Sequence, residues 1–249
     1  MAADQTPTST SQAPRRGTFI TFEGGDGVGK TTHIRALAHA LESRGFEVVR
    51  LREPGGTRIG EALRAIVLDP ENAEMADVTE LFVYEAARAQ IVAETIKPAL
   101  DRGAVVLCDR FADSTLAYQG YGRGIDLDAV KAASNAACQG VTPDRTLLMR
   151  LEGAQDKGLE RAAQDHEADR LELAGNAFQQ RVLEGFARIA EEDADRVRMV
   201  ASHTDRVETA RGVFAAVADL FGWTVGEGAE GAEGGITDAD LARYLELEA

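Results

Sequence analysis

Five short runs of β-forming residues recur along the chain: Thr18 to Glu23, Glu47 to Leu51, Ala104 to Cys108, Thr146 to Leu151 and Val197 to Ala201. Longer stretches of helical period separate them. Four of the five runs contain continuous apolar stretches, the pattern of strands covered on both faces, and strands that alternate with helices return by crossovers. The expected fold is therefore α/β: a doubly wound, five-stranded parallel sheet flanked by helices. Lys30 to Ser43 is the clearest helix, with Ile34, Leu37, Ala38 and Leu41 on one face and Gly45 just past its end. A second helix begins at Asp77, where the spacing to Glu80 resembles a capping box. In such sheets ligands bind beyond the carboxyl ends of the strands, so the residues after each strand carry the functional information.

The two ends differ from the middle. Residues 1–16 are rich in Thr, Ser, Gln, Ala and Pro with no apolar period, a composition that does not offset the entropy of ordering a backbone. Gly226 to Gly235 is a Gly/Glu/Ala linker, and Asp238 to Glu248 is an acidic segment with Leu241, Tyr244, Leu245 and Leu247 on or near one face. The expected organisation is a disordered tail over 1–16, one domain over 17–222 and an acidic flexible tail over 223–249, its last segment either docked or floating. A chain of 249 residues is long enough for such a domain to bury a sizeable core.

Composition narrows the partners. No apolar run approaches the ~20 residues of a membrane span, and the N-terminus has no signal-peptide core, so a soluble protein is expected. Cys108 and Cys138 belong to no metal-binding spacing and fit a reduced cytoplasm. A net charge of −15 repels polyanions, which argues against nucleic acid and acidic membranes as partners. An anionic ligand must then be held by locally placed cations.

One such place follows the first strand. Gly24-Gly25-Asp26-Gly27-Val28-Gly29-Lys30-Thr31, with Thr32 next, fits G-x-x-x-x-G-K-[ST] between a strand and a helix. The glycines let backbone amides converge on a phosphate at a helix N-terminus. Lys30 is placed to bridge the β- and γ-phosphates, and the Thr31 hydroxyl to ligate magnesium. The loop implies a nucleoside triphosphate with Mg²⁺ and leaves hydrolases, switches and kinases open. After the second strand, Arg52-Glu53-Pro54-Gly55-Gly56-Thr57 builds a tight turn. After the third comes Cys108-Asp109-Arg110-Phe111, then Ser114, Thr115, Tyr118, Gln119 and Gly120. Asp109 stands where a phosphate-loop protein holds its magnesium carboxylate, and Arg110 is placed to neutralise a transferred or accepting phosphate. At least three of the four histidines, His33, His39, His166 and His203, read as helix-surface or loop residues.

Taken together, E-G-G-D-G-V-G-K-T-T, R-E-P-G-G-T, D-R-F-A-D-S-T-L-A-Y-Q-G and D-R-L-E resemble the thymidylate kinase family in order and rough spacing, over about Phe19 to Leu220. The resemblance implies a P-loop NTPase three-layer sandwich with a mobile lid, and transfer of the γ-phosphoryl of ATP to dTMP. It assigns Tyr84 and Arg88, four apart on a helix, to stack on and contact the thymine. The family usually has Phe at the first of these positions. Thr115 is assigned to the base, Tyr118 to the sugar where a 2′-hydroxyl would be crowded, and Asp26 to the acceptor side of the loop. Glu53, Pro54, Ser114 and Gln119 complete the acceptor site. Arg170 is expected along the ATP and Glu172 near the acceptor.

The family supplies a catalytic arginine either from the phosphate loop, where this chain has Gly27, or from the lid. The lid is expected at about Gly153 to Arg170, and it is acidic from Asp165 to Glu167, which leaves Arg161 as the candidate. Arg150 stands where the family strand usually ends in an acid. A homodimer is implied by the family. Two alternatives stay open on the sequence: a kinase of another nucleoside monophosphate, and a nucleotide-binding regulator with a degenerate lid.

Overall fold

The computed structural model describes residues 16–151 and 169–246. The expected tail over 1–16, except Arg16, and most of the lid segment, including Arg161, lie outside those residues. Five strands, β1 (Phe19–Glu23), β2 (Val48–Arg52), β3 (Val105–Asp109), β4 (Arg145–Leu151) and β5 (Val197–Ser202), form one parallel sheet in the order β2-β3-β1-β4-β5. Each starts and ends within one residue of its expected position. β1 is central and wholly buried, paired with β3 through Phe19–Val106 and with β4 through Ile20–Arg145. Because side chains alternate along a strand, Ile20 and Phe22 enter one hydrophobic cluster and Phe19 the opposite one.

Helices α1 (Lys30–Glu42), α2 (Arg58–Leu68), α3 (Asp77–Ile91), α4 (Lys97–Asp101), α5 (Ala112–Thr115), α6 (Leu127–Cys138), α7 (Asn176–Glu192), α8 (Arg206–Ala215) and α9 (Ala218–Phe221) fill in around the sheet. On one face, α1 and α8 bury Leu37, Leu41, Val213 and Phe214. On the other, the α3–α4 rod, continuous through a π turn at Val92–Ile96, buries Ile91, Ile96 and Leu100 against Val106 and Phe111. A third cluster joins Tyr118 to Phe178 and Phe186 of α7.

Two expectations are corrected. The 223–246 stretch is not a loose tail: a two-stranded ribbon, β6 (Thr224–Val225) and β7 (Gly235–Ile236), leads into α10 (Asp238–Glu246). Trp223, Ile236, Leu241, Tyr244 and Leu245 are buried against the α1–α8 face. The apolar residues of this Gly/Glu-rich segment fall in widely spaced places, each with a seat on that face. The capping box at Asp77 is also absent. Ala76 is the cap residue of α3 and supplies no side-chain bond. Glu80 is instead fully buried, holding Arg123, Gln119 and Arg170.

Candidate active site

The carboxyl ends of the strands open onto a cleft of about 790 Å³, floored by residues 26–33 of the phosphate loop and α1. Gly24 adopts φ +124°, and a Cβ there would fall 2.2 Å from the Met149 carbonyl oxygen, so no other residue fits. Gly27 and Gly29 are also left-handed, and Gly29 caps α1. Together they turn the chain so that successive amides converge at the helix N-terminus.

Lys30 is buried, and its Nζ donates to the carbonyls of Gly24 at 3.3 Å and Gly25 at 2.8 Å, 4.0 Å from Asp26. Burial, and then the charge of Arg110, lower its pKa from the ordinary lysine value. The Thr31 hydroxyl donates to Asp109 Oδ2 at 3.4 Å. Asp109 Oδ1 is buried with no hydrogen-bond partner among the described residues. An orphaned carboxylate oxygen beside a hydroxyl is a donor set suited to a hard cation such as Mg²⁺.

Arg110 ties the two halves of the cleft together. Its backbone is left-handed, φ +69°, a conformation rare outside glycine and concentrated at functional sites. Its Nη1 donates to Gly24 O at 3.0 Å and Ser114 Oγ at 3.3 Å, and its Nη2 to Asp26 Oδ1 at 2.5 Å. The guanidinium carbon sits 5.2 Å from the centre of the Tyr118 ring. Burial pulls against its charge, but Tyr118, Asp26, Asp109 and Glu23 around it hold its pKa well above the ordinary arginine value.

Beyond Arg110, the wall of the cleft carries Glu53, Pro54, Tyr84, Ser114, Thr115, Tyr118, Gln119 and Glu172, which brings together the residues that the resemblance assigns to the acceptor, Arg88 excepted. The Pro54 carbonyl accepts from Arg52 Nη1 at 3.1 Å and Arg64 Nη1 at 2.9 Å, which pins the Arg52–Gly56 turn. Tyr84 is a neutral phenol, its pKa raised by burial and then by Glu80.

Arg88 does not stand beside Tyr84 on that wall. It is 1% exposed and lies behind it, donating to Glu53 at 2.8 Å, Glu85 at 2.7 Å, Thr115 Oγ1 at 2.8 Å and Ser134 Oγ at 3.3 Å. A buried guanidinium costs several kcal/mol unless paired, and two carboxylates pair it here. Spacing of four on a helix shows which face a residue shares and says nothing of depth. Two partners of Arg88, Glu53 and Thr115, do line the cleft.

Arg170, expected along the ATP, is buried as well. It turns inward at the end of α2, with its guanidinium on Glu80, Nε on the Val67 carbonyl at 3.1 Å and its own N–H on Leu68 O at 3.2 Å. Hydrogen bonds from Arg123 and Gln119, with the charges of Arg123 and Arg170, outweigh burial and hold the Glu80 pKa below its usual value.

Other cleft residues were not expected: Arg64, and at the end past β5, Ser202, His203, Thr204 and Arg206. The strand-end rule pointed to the latter group, since Ser202 closes β5 and its hydroxyl donates to Val28 O at 2.8 Å. Arg64 gave no local signal.

The residues from 22 to 210 match the family model described as "Thymidylate kinase". The thymidylate kinase of Exiguobacterium sibiricum is 46% identical over 184 residues, covering 74% of this chain and 86% of that protein. That of Geotalea daltonii is 44% identical over 208 residues, covering 81% and 96%. The crystal structure of thymidylate kinase from Ehrlichia chaffeensis superposes with a TM-score of 0.65 at 32% identity, over 82% of this chain and 98% of that one. With its five-stranded parallel sheet and phosphate loop, the chain belongs to the thymidylate kinase family, ATP-dependent phosphotransferases that convert dTMP to dTDP.

Proposed function

We propose that this enzyme binds MgATP over the phosphate loop and dTMP against the Tyr84–Tyr118 wall, with the two phosphate ends meeting at Arg110. The observation that carries this reading is the position of Arg110. It touches the loop through Gly24 and Asp26 and the acceptor wall through Ser114 and Tyr118. A phosphate monoester is largely a dianion at neutral pH, with a second pKa near ~6, so the acceptor is already a nucleophile and needs no general base. What remains is to align two polyanions and to stabilise charge on the moving group.

Lys30 would leave its loop carbonyls for the β- and γ-phosphate oxygens, while the loop amides hold the β-phosphate. Thr31 and Asp109 would hold Mg²⁺, which supplies charge neutralisation to the triphosphate. Glu53, whose Oε1 is buried without a partner among the described residues, offers an acceptor to the bound nucleotide. Ser202 to Arg206 extend the cleft toward the nucleoside of ATP. Arg161 is the proposed lid arginine.

A coupled assay of ADP release over dTMP, dUMP, UMP, AMP and CMP tests the reading. Strong turnover is expected with dTMP; turnover of AMP or UMP with none of dTMP would reject it. We further propose a homodimer formed through α2 and α3, which pack together and expose Ile59, Ile66, Val78 and Phe82. The net charge of −15 disfavours nucleic acid and membrane partners. No helix among the described residues is long and apolar enough to cross a membrane, and two buried free cysteines accord with a cytoplasmic enzyme.

A further inference from the structure

Glu23 closes β1, one residue ahead of the phosphate loop, and is fully buried. It does not line the cleft. Its Oε1 accepts from Phe111 N–H at 2.8 Å and Ser114 N–H at 3.3 Å, and its Oε2 from the Ser114 hydroxyl at 2.6 Å. All three donors lie just past Arg110, at the N-cap of α5 (Phe111) and within α5 (Ser114). We propose that Glu23 is a positioning residue for phosphoryl transfer, clamping the left-handed turn at Arg110 and, through Ser114, aiming the guanidinium at the junction of the two phosphates.

Three observations carry this. A non-glycine residue in the left-handed region is strained, so it persists only where its surroundings fix it. Here the peptides on both sides of Arg110 are gripped by consecutive residues of β1. Arg110 N–H donates to Phe22 O at 2.9 Å, and Phe111 N–H to the Glu23 carboxylate. The Arg110 carbonyl in turn accepts from Cys108 Sγ at 3.2 Å. Second, Ser114 is oriented by this contact: its hydroxyl proton goes to Glu23, which leaves a lone pair for Arg110 Nη1. Third, a carboxylate here is expensive. Burial, and then the nearby charge of Asp113, push the Glu23 pKa up to about 7. Asp113 is itself held by Arg196 and Thr146, so Glu23 serves a different partner.

The inference rests on the role given to Arg110 above, and a double-mutant cycle separates the two. Glu23→Gln keeps the size of the side chain and the acceptor for both N–H groups, but its amide cannot take the Ser114 proton. It should lower kcat for dTMP phosphorylation by at least tenfold and leave KM for ATP within threefold. In an Arg110→Lys background, which has already lost the Nη1–Ser114 contact, the same change should cost less than twofold. Ser114→Ala, which spares the backbone grip, should show the same coupling and serves if Glu23→Gln fails to fold by circular dichroism. Wild-type kcat in Glu23→Gln, or losses that simply multiply with those of Arg110→Lys, would overturn the proposal. Full activity in Arg110→Lys alone would overturn the role of Arg110, and the proposal with it.

Discussion

His33 lies one turn into α1, buried, with its imidazole at the cleft and Nδ1 without a hydrogen-bond partner among the described residues. Burial, and then the charge of Arg206, push its pKa from 6.5 down to about 4. Between those values the unfolded chain binds a proton that the folded protein does not, so stability rises with pH across the window and is lost on acidification. From pH 6.5 to 4.5 this one group accounts for about 2 kcal/mol. His33→Asn should therefore lose about 2 kcal/mol less than wild type over that interval in urea titrations; parallel losses would remove His33 from the account. Lys30 and Arg110 belong to the same scale. Each is a cation of the cleft, Lys30 buried and Arg110 half-buried, and on the proposed function Lys30→Ala and Arg110→Ala should each lower kcat by roughly 10³-fold with circular dichroism unchanged. Retained turnover in either would refute its role.

At the scale of elements, α10 is the feature to test, because it covers the helix that begins at Lys30. Tyr244 stacks on Phe214 of α8 with ring centres 6.1 Å apart and accepts from Arg44 Nη1 at 2.7 Å, while the Arg44 guanidinium lies 5.4 Å from the centre of the Trp223 ring. The Arg211–Asp238 pair beside it is exposed and contributes little. Apolar burial therefore dominates, at roughly 1.5–3 kcal/mol per large side chain. Ending the chain at Gly222 should lower the melting temperature by about 10 °C or more, and Tyr244→Ala should cost about 3 kcal/mol. An unchanged melting curve would show that α10 is not coupled to the core. This element also marks where sequence reading stops. The sheet was legible because most of its strands carry a continuous apolar stretch, and the phosphate loop because its glycines and lysine sit in one local frame. The α10 dock was not legible, since its seats on α1 and α8 are far away along the chain. The depth of Arg88 and Arg170 was equally hidden: helical spacing gives the face that Arg88 shares with Tyr84, and a motif gives only the order of Arg170 in the chain, while packing against Glu53 and Glu85 for the one and Glu80 for the other draws them inward.

The whole molecule combines an acidic exterior, at a net charge of −15, with one cleft lined by Lys30, Arg52, Arg64, Arg110 and Arg206. Like charge keeps copies of such a chain apart unless an apolar surface offsets it. The surface that α2 and α3 share provides one, with Ile66 at 48%, Val78 at 51% and Phe82 at 60% exposure. The same two helices bring Arg64 and Tyr84 to the cleft, so an interface there would brace the acceptor wall from behind. In a two-fold interface every residue is used twice, once by each copy. A single Phe82→Asp change therefore removes two apolar contacts and buries two carboxylates. Sedimentation equilibrium should give twice the chain mass for wild type and a dissociation constant at least a hundredfold weaker for Phe82→Asp. Because α3 is rooted in the core through Leu81, Ala87 and Ile91, the variant should remain folded and its KM for dTMP should rise more than its KM for ATP. A wild-type monomer, or a dimer indifferent to Phe82→Asp, would mean that this face is not the interface.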